Sequence, residues 1–143
     1  MNKTYTVLIV DDDKFLLDMY RKKFEQDGAT VDVATNPDEA LAKLRGGAKP
    51  DILILDIIMP SMDGVELLAT IRKEKLSPDS VVIMLTNESS PEKIEKAKKL
   101  GIKGYIVKAT RIPTEVVEEA VKIAKLKIRN CKLTSCLLLI PNF

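Results

Sequence analysis

Four places in this chain carry residues able to do chemistry, and each follows an apolar run. Asp11-Asp12-Asp13 follow Val7–Val10, Asp56 closes Ile52-Leu53-Ile54-Leu55, Thr86 follows Val81–Leu85, and Lys108 follows Tyr105-Ile106-Val107. Several carboxylates in one small cavity repel one another and call for a cation. The chain contains no His, and its two Cys lie far from these acids, so the available ligands are hard oxygens, which favour Mg²⁺ or Ca²⁺. Mg²⁺ characteristically keeps several waters and uses one or two carboxylates together with phosphate oxygens. One carboxylate of such a set can attack a phosphoryl group and form an acyl phosphate. A lysine and a threonine hydroxyl nearby can bind the transferred oxygens, because positioning and electrostatics dominate phosphoryl transfer.

Each residue also has an ordinary reading. Paired aspartates after a strand are common turn residues, a threonine there is usually structural, and a lysine there is usually a solvated charge. An aspartate closing a buried strand says more, because a charge at the edge of a core needs a partner. The coincidence of all four at strand ends is the signal.

The elements that must position them alternate along the chain. Strands are expected over 5–10, 30–34, 51–56, 80–86 and 104–108. The first helix shows Leu16, Met19, Tyr20 and Phe24 on one face and stops at Gly28. Asn36-Pro37-Asp38-Glu39 reads as an N-cap, a first-turn proline and a capping-box acid, and that helix runs to Gly46-Gly47. A third helix is expected over 65–75. A fourth starts at Ser90-Pro91 and ends at Gly101. A fifth opens near Pro113 with Val117, Ala120, Val121, Ala124 and Ile128 on one stripe. Consecutive apolar residues such as Ile52–Leu55 suit strands buried on both faces of a parallel sheet. Alternating strands and helices therefore imply an α/β fold, a doubly wound parallel sheet of five strands in three α/β/α layers. Ligands in such sheets bind beyond the carboxyl ends of the strands, where the four places lie. The periodicity leaves strand order open.

Composition narrows the function classes. The 143 residues suit one domain, able to bury roughly 70% of its unfolded surface without a disulfide or structural metal. Lys plus Arg number 23 against 21 Asp plus Glu, so nothing demands direct nucleic-acid contact. The absence of His removes the usual zinc ligand and the usual phosphohistidine carrier. Cys131 and Cys136 are too few for a disulfide framework and read as free thiols of a reducing, cytoplasmic setting. The N-terminus does not read as a signal peptide, and no stretch approaches the ~20 apolar residues of a membrane span.

The segments LIVDDD at 8–13, ILDIIMPSMDG at 54–64, MLT at 84–86 and GYIVK at 104–108 together resemble the receiver domain of two-component response regulators, over about residues 4–129. The resemblance implies the flavodoxin-like strand order 2-1-3-4-5, an order for which a chemotaxis receiver is a standing example. It implies a phosphorelay switch rather than an enzyme. Asp56 matches the phosphoacceptor and is also one of the Mg²⁺ ligands, Asp12 the direct Mg²⁺ ligand of the acidic pair, and Asp11 the acid acting through water. The backbone carbonyl of Ile58 matches the third protein ligand, Lys108 the lysine that pairs with the phosphoryl group, Thr86 the hydroxyl that moves toward it, and Tyr105 the switch aromatic. Asp13 has no such role and is expected to sit at the N-terminus of helix 1. Met59-Pro60 and Asp63-Gly64 match a loop motif that sets backbone geometry, read as purely structural.

The chain departs from the family at two points. Ala109 follows Lys108 where the family usually has proline, often after a cis bond; a cis Lys-Ala bond would cost roughly 3 kcal/mol. Ile58, two beyond the acceptor, cannot hydrogen-bond an attacking water, which predicts slow self-dephosphorylation. The implied phosphodonor is the histidine of a sensor kinase or phosphotransfer protein. With residues 1–129 as the receiver and 130–143 as an apolar tail, the expected output is contact with a downstream protein, or with a second copy through helix 4, strand 5 and helix 5, the alternative being a phosphorelay intermediate. The lysines of helix 4 (Lys93, Lys96, Lys98, Lys99) read as a solvated face, with an acidic partner surface as the alternative. The tail is expected to pack on the domain or on a dimer mate, since an exposed LLLI patch is a liability. Two other readings compete: a degenerate receiver that binds without phosphorylation, and an aspartyl-phosphate phosphohydrolase. The latter needs a second acid where Ile58 stands.

Overall fold

The computed structural model describes residues 5–57, 59, 62–86, 91–107 and 112–136, with side chains through Ala124. The strands are β1 Thr6–Val10, β2 Thr30–Ala34, β3 Ile52–Asp56, β4 Val81–Thr86 and β5 Gly104–Val107. The helices are α1 Lys14–Gln26, α2 Pro37–Arg45, α3 Gly64–Lys73, α4 Pro91–Lys99 and α5 Pro113–Cys136. The strands form one parallel sheet in the order β2-β1-β3-β4-β5, as the resemblance implies.

Side chains alternate across a strand, and the consecutive apolar runs fill both faces of this sheet. Leu8, Val10, Leu53, Leu55, Val82 and Met84 pack with Leu41 and Leu44 of α2, Leu67, Leu68 and Ile71 of α3, and Ala97 of α4. Val7, Ile9, Ile52, Ile54, Val81, Ile83 and Leu85 pack with Leu17, Tyr20 and Phe24 of α1 and with Val116, Val117, Ala120 and Ala124 of α5. The result is the expected three layers. Each fully buried Leu or Ile stabilises by about 1.5–3 kcal/mol, and β3 and β4 are buried at every position. That central pair is the rigid part on which a site can be built.

The helix starts follow the capping rules. The Asn36 side chain accepts from the Glu39 amide at 2.8 Å with Pro37 in the first turn, but Glu39 reaches past its own cap to the Thr35 amide at 2.6 Å. At the end of α1, Gly28 takes φ +96°, a left-handed conformation open to glycine, and lets the Ala29 amide return to the Phe24 carbonyl at 3.0 Å. Asp27 beside it accepts from the Tyr5 hydroxyl at 2.6 Å. Burial and that carboxylate push the Tyr5 hydroxyl well above its ordinary pKa.

Three expectations shift. The face of α1 is rotated from the predicted one: Leu17, Tyr20 and Phe24 are buried, while Leu16 and Met19 are half-buried, because α5 packs beside α1 and draws Leu17 inward. Helix α3 starts at Gly64 and ends at Lys73, whereas 65–75 was expected; Asp63 caps it one residue earlier. Helix α5 continues to Cys136, through the start of the segment read as a tail. The Leu137–Ile140 run and Ser90 lie outside the described residues.

Candidate functional site

The sheet brings the acids together. In the β1–β3 pairing Val10 stands opposite Leu55, so Asp11 and Asp56, the next residue of each chain segment, leave the sheet side by side. Asp11 is fully buried and Asp56 is 2% exposed, whereas Asp12 is exposed. One carboxylate oxygen from each of Asp11, Asp12 and Asp56 lies within 4.8 Å of the others. The main chain of Asp11 is held by its amide donating to the Ala34 carbonyl at 3.1 Å, and its Oδ1 accepts from the Asp13 amide at 2.9 Å.

Asp13 has a different task. Its side chain accepts from the amides of Phe15 at 3.0 Å and Leu16 at 3.2 Å, which makes it the N-cap of α1. Three neighbouring acids thus divide into a buried pair-mate of Asp56, an open carboxylate and a helix cap.

Two ionised carboxylates 4.8 Å apart repel by about 3 kcal/mol at an effective dielectric constant of about 20. A divalent cation between them reverses the sign of that interaction. The donor set is all carboxylate oxygen, with two buried members and one facing solvent, which fits a hard divalent metal that retains water.

The main chain directly after Asp56, at Ile57, is seated from two sides. The Ile57 amide donates to the Leu85 carbonyl of β4 at 2.8 Å, and the Gly64 amide donates to the Ile57 carbonyl at 2.7 Å. A Cβ on Gly64 would stand 2.3 Å from the Asp56 carbonyl oxygen, so only glycine fits without displacing it. Asp63 caps α3 by accepting from the Glu66 amide at 2.8 Å, and its other oxygen pairs with Lys93 of α4 at 3.4 Å. The loop motif at Asp63-Gly64, read from sequence as structural, is in contact with the backbone of the acid site. The Asp63–Glu66 spacing suits a helix cap, although the expected start at 65 did not rest on it, and the contact with Asp56 has no sequence signal.

The other predicted residues are placed as follows. Thr86 is buried at the end of β4, one residue beyond Leu85, the partner of Asp56. By strand alternation it shares the face of Val82 and Met84, while Asp56 shares that of Ile52 and Ile54. Tyr105 lies on β5 opposite Met84, is 43% exposed, and has the Lys98 ammonium 5.9 Å from its ring centre. Lys108, Ala109 and the backbone carbonyl of Ile58 lie outside the described residues, as does the geometry of the Lys108-Ala109 bond.

A family model of the response regulator receiver domain matches residues 7–121. The chain belongs to the response regulator receiver family. This receiver is 35% identical to the chemotaxis protein CheY of Halobacterium salinarum, over 76% of this chain and 88% of that one. It is 36% identical to the chemotaxis protein CheY of Thermotoga maritima, over 83% and 97%. The crystal structure of a CheY-like receiver domain protein from Methanospirillum hungatei superposes with a TM-score of 0.79 at 29% identity, covering 90% of this chain and 99% of that one. The receiver is a phosphorelay signalling switch, not an enzyme of metabolic turnover, and its Asp11, Asp12 and Asp56 cluster is poised for phosphoryl and metal binding. No helix among its described residues is long and apolar enough to cross a membrane.

Proposed function

We propose that Asp56 is the phosphoacceptor, that Asp12 holds Mg²⁺ directly and Asp11 through water, and that the Ile58 carbonyl completes the protein ligands. The observation that carries this reading is a nearly buried Asp56 at the end of β3 with ligand oxygens of Asp11 and Asp12 within 4.8 Å. The phosphodonor is the phosphohistidine of a sensor kinase or a phosphotransfer protein. A carboxylate oxygen of Asp56 attacks phosphorus; the P–N bond breaks, its electron pair stays on the leaving imidazole, and an acyl phosphate forms. Mg²⁺, when bound, neutralises charge and orients the phosphoryl oxygens.

Around that step the chain's own groups bind and report. Lys108 pairs with the phosphoryl oxygens and Thr86 donates its hydroxyl to them. Tyr105 turns inward as Thr86 moves, which changes the face made by α4, β5 and α5. The added charge biases a two-state element, and the output is contact with a downstream protein or a second copy of the chain at that face. The receiver unit in this reading is residues 1–129.

The test is incubation with Mg²⁺ and a small acyl phosphate, followed by mass measurement. A base-labile adduct of one phosphoryl group on Asp56, absent from Asp56→Asn and dependent on the metal, is the expected result. Wild type that matches Asp56→Asn overturns the assignment.

A further inference from the structure

Helix α4 is thinly anchored. Its buried residues are Ile94 and Ala97, so polar contacts at its two ends carry weight. Both ends are tied to α3. At the C-terminal end, Arg72 of α3 donates to the Leu100 carbonyl at 2.8 Å and to the Gly101 carbonyl at 3.2 Å. At the N-terminal end, Lys93 pairs with Asp63 at 3.4 Å. A lysine in a first turn faces the positive end of the helix dipole, so its position is accounted for by the carboxylate opposite rather than by α4 itself.

Asp63 is placed to feel the acid site. It precedes Gly64, whose α-carbon rests against the Asp56 carbonyl and whose amide holds Ile57. One of its oxygens caps α3 and the other reaches α4. A shift of the Asp56 main chain would therefore press on Gly64 and, through Asp63 and Lys93, on the start of α4. This route runs through the segment after β3 and is separate from Thr86 and Tyr105 on β4 and β5.

We propose that Asp63 is a positioning residue that transmits the phosphorylation state of Asp56 to α4 through its ion pair with Lys93. The inference rests on Asp56 being the phosphoacceptor. Asp63→Asn separates its two duties, because asparagine caps a helix as well as aspartate but lacks the charge. Lys93→Gln removes the same pair from the surface side.

The experiment measures amide hydrogen exchange in α4 of the full chain, with and without Mg²⁺ and acetyl phosphate, with mass detection of the Asp56 adduct in each sample. In wild type, phosphorylation changes the α4 exchange rates. A half-exposed ion pair of this kind is worth about a two- to fivefold factor, so each variant brings the phosphorylated-to-unphosphorylated rate ratio about two- to fivefold closer to one. The double variant goes no further than either single one. An unchanged ratio in the variants overturns the proposal, even if α4 exchanges faster in both states, since that is what a merely structural pair would produce. An adduct in wild type without any α4 response overturns it too, while leaving the phosphoacceptor standing. No adduct in wild type removes both. If Asp63→Asn does not fold, Lys93→Gln carries the test.

Discussion

Gly64 lies so close to Asp56 that a methyl group on it would stand 2.3 Å from the Asp56 carbonyl oxygen. Alanine is favoured over glycine by up to about 1 kcal/mol within a helix, but forcing a methyl into packed backbone costs about 1–3 kcal/mol. The clash should win. Gly64→Ala is expected to lower stability in urea denaturation and to slow adduct formation on Asp56. A variant as stable and as fast as wild type would show that the loop yields freely.

Asp12 and Asp13 are adjacent acids with opposite expected phenotypes. Asp13→Ala removes the α1 cap and should cost about 1 kcal/mol of stability, with little effect on metal binding. Asp12→Ala should leave metal-free stability near wild type and abolish stabilisation by Mg²⁺. That stabilisation is about 2.7 kcal/mol when free metal is a hundredfold above its dissociation constant. Thermal melts with Mg²⁺ and with a chelator distinguish the two.

Ile58 offers no hydrogen bond to water. Ile58→Asn supplies one, worth about 1–1.5 kcal/mol, or roughly tenfold in rate. The phosphorylated variant should lose its phosphoryl group about tenfold faster than wild type, followed by intact mass over time. Equal lifetimes would mean that this position does not control hydrolysis.

Arg45 and Glu74 join α2 to the end of α3 through bonds of 2.8 and 2.5 Å. Hydrogen bonding from Arg45 is the largest effect on the Glu74 carboxyl and outweighs desolvation; with the charges of Arg45 and Lys73 added, the carboxyl is held below its ordinary range. A depressed carboxyl contributes stability above the unfolded-state value, about 4.3 for glutamate, and loses it as pH falls through the lower folded-state value. Glu74→Gln should therefore be slightly less stable than wild type at neutral pH and equal to it in strong acid. High salt should narrow the neutral-pH gap, because the pair is exposed.

Much of this was local and so legible in the sequence. Asn36-Pro37 and Asp13 act within one helical turn, and the runs Ile52–Leu55 and Val81–Leu85 declare doubly buried strands by themselves. The face of α1 was not legible in full: Leu16, Leu17, Met19 and Tyr20 offer two overlapping stripes, and packing against α5 chose between them.

The sequence by itself determined which residues close the strands, and with them an acidic, oxygen-only donor set without histidine. The strand order implied by family resemblance placed β1 beside β3, but the distance between Asp11 and Asp56 belongs to the tertiary structure. Forty-five residues separate them along the chain, and the register of Val10 on Leu55 makes them neighbours. Asp13 at the N-terminus of α1 was expected from local position, and its bonds to the Phe15 and Leu16 amides show the cap, whereas the burial of Asp11 beside an exposed Asp12 came only with the fold. The contacts of Gly64 with Asp56 and of Asp63 with Lys93 had no sequence signal beyond a helix cap. They arise where separate segments are pressed together by the burial of α3 and α4 on the sheet, and pairing across such distances is a property of the packed chain alone.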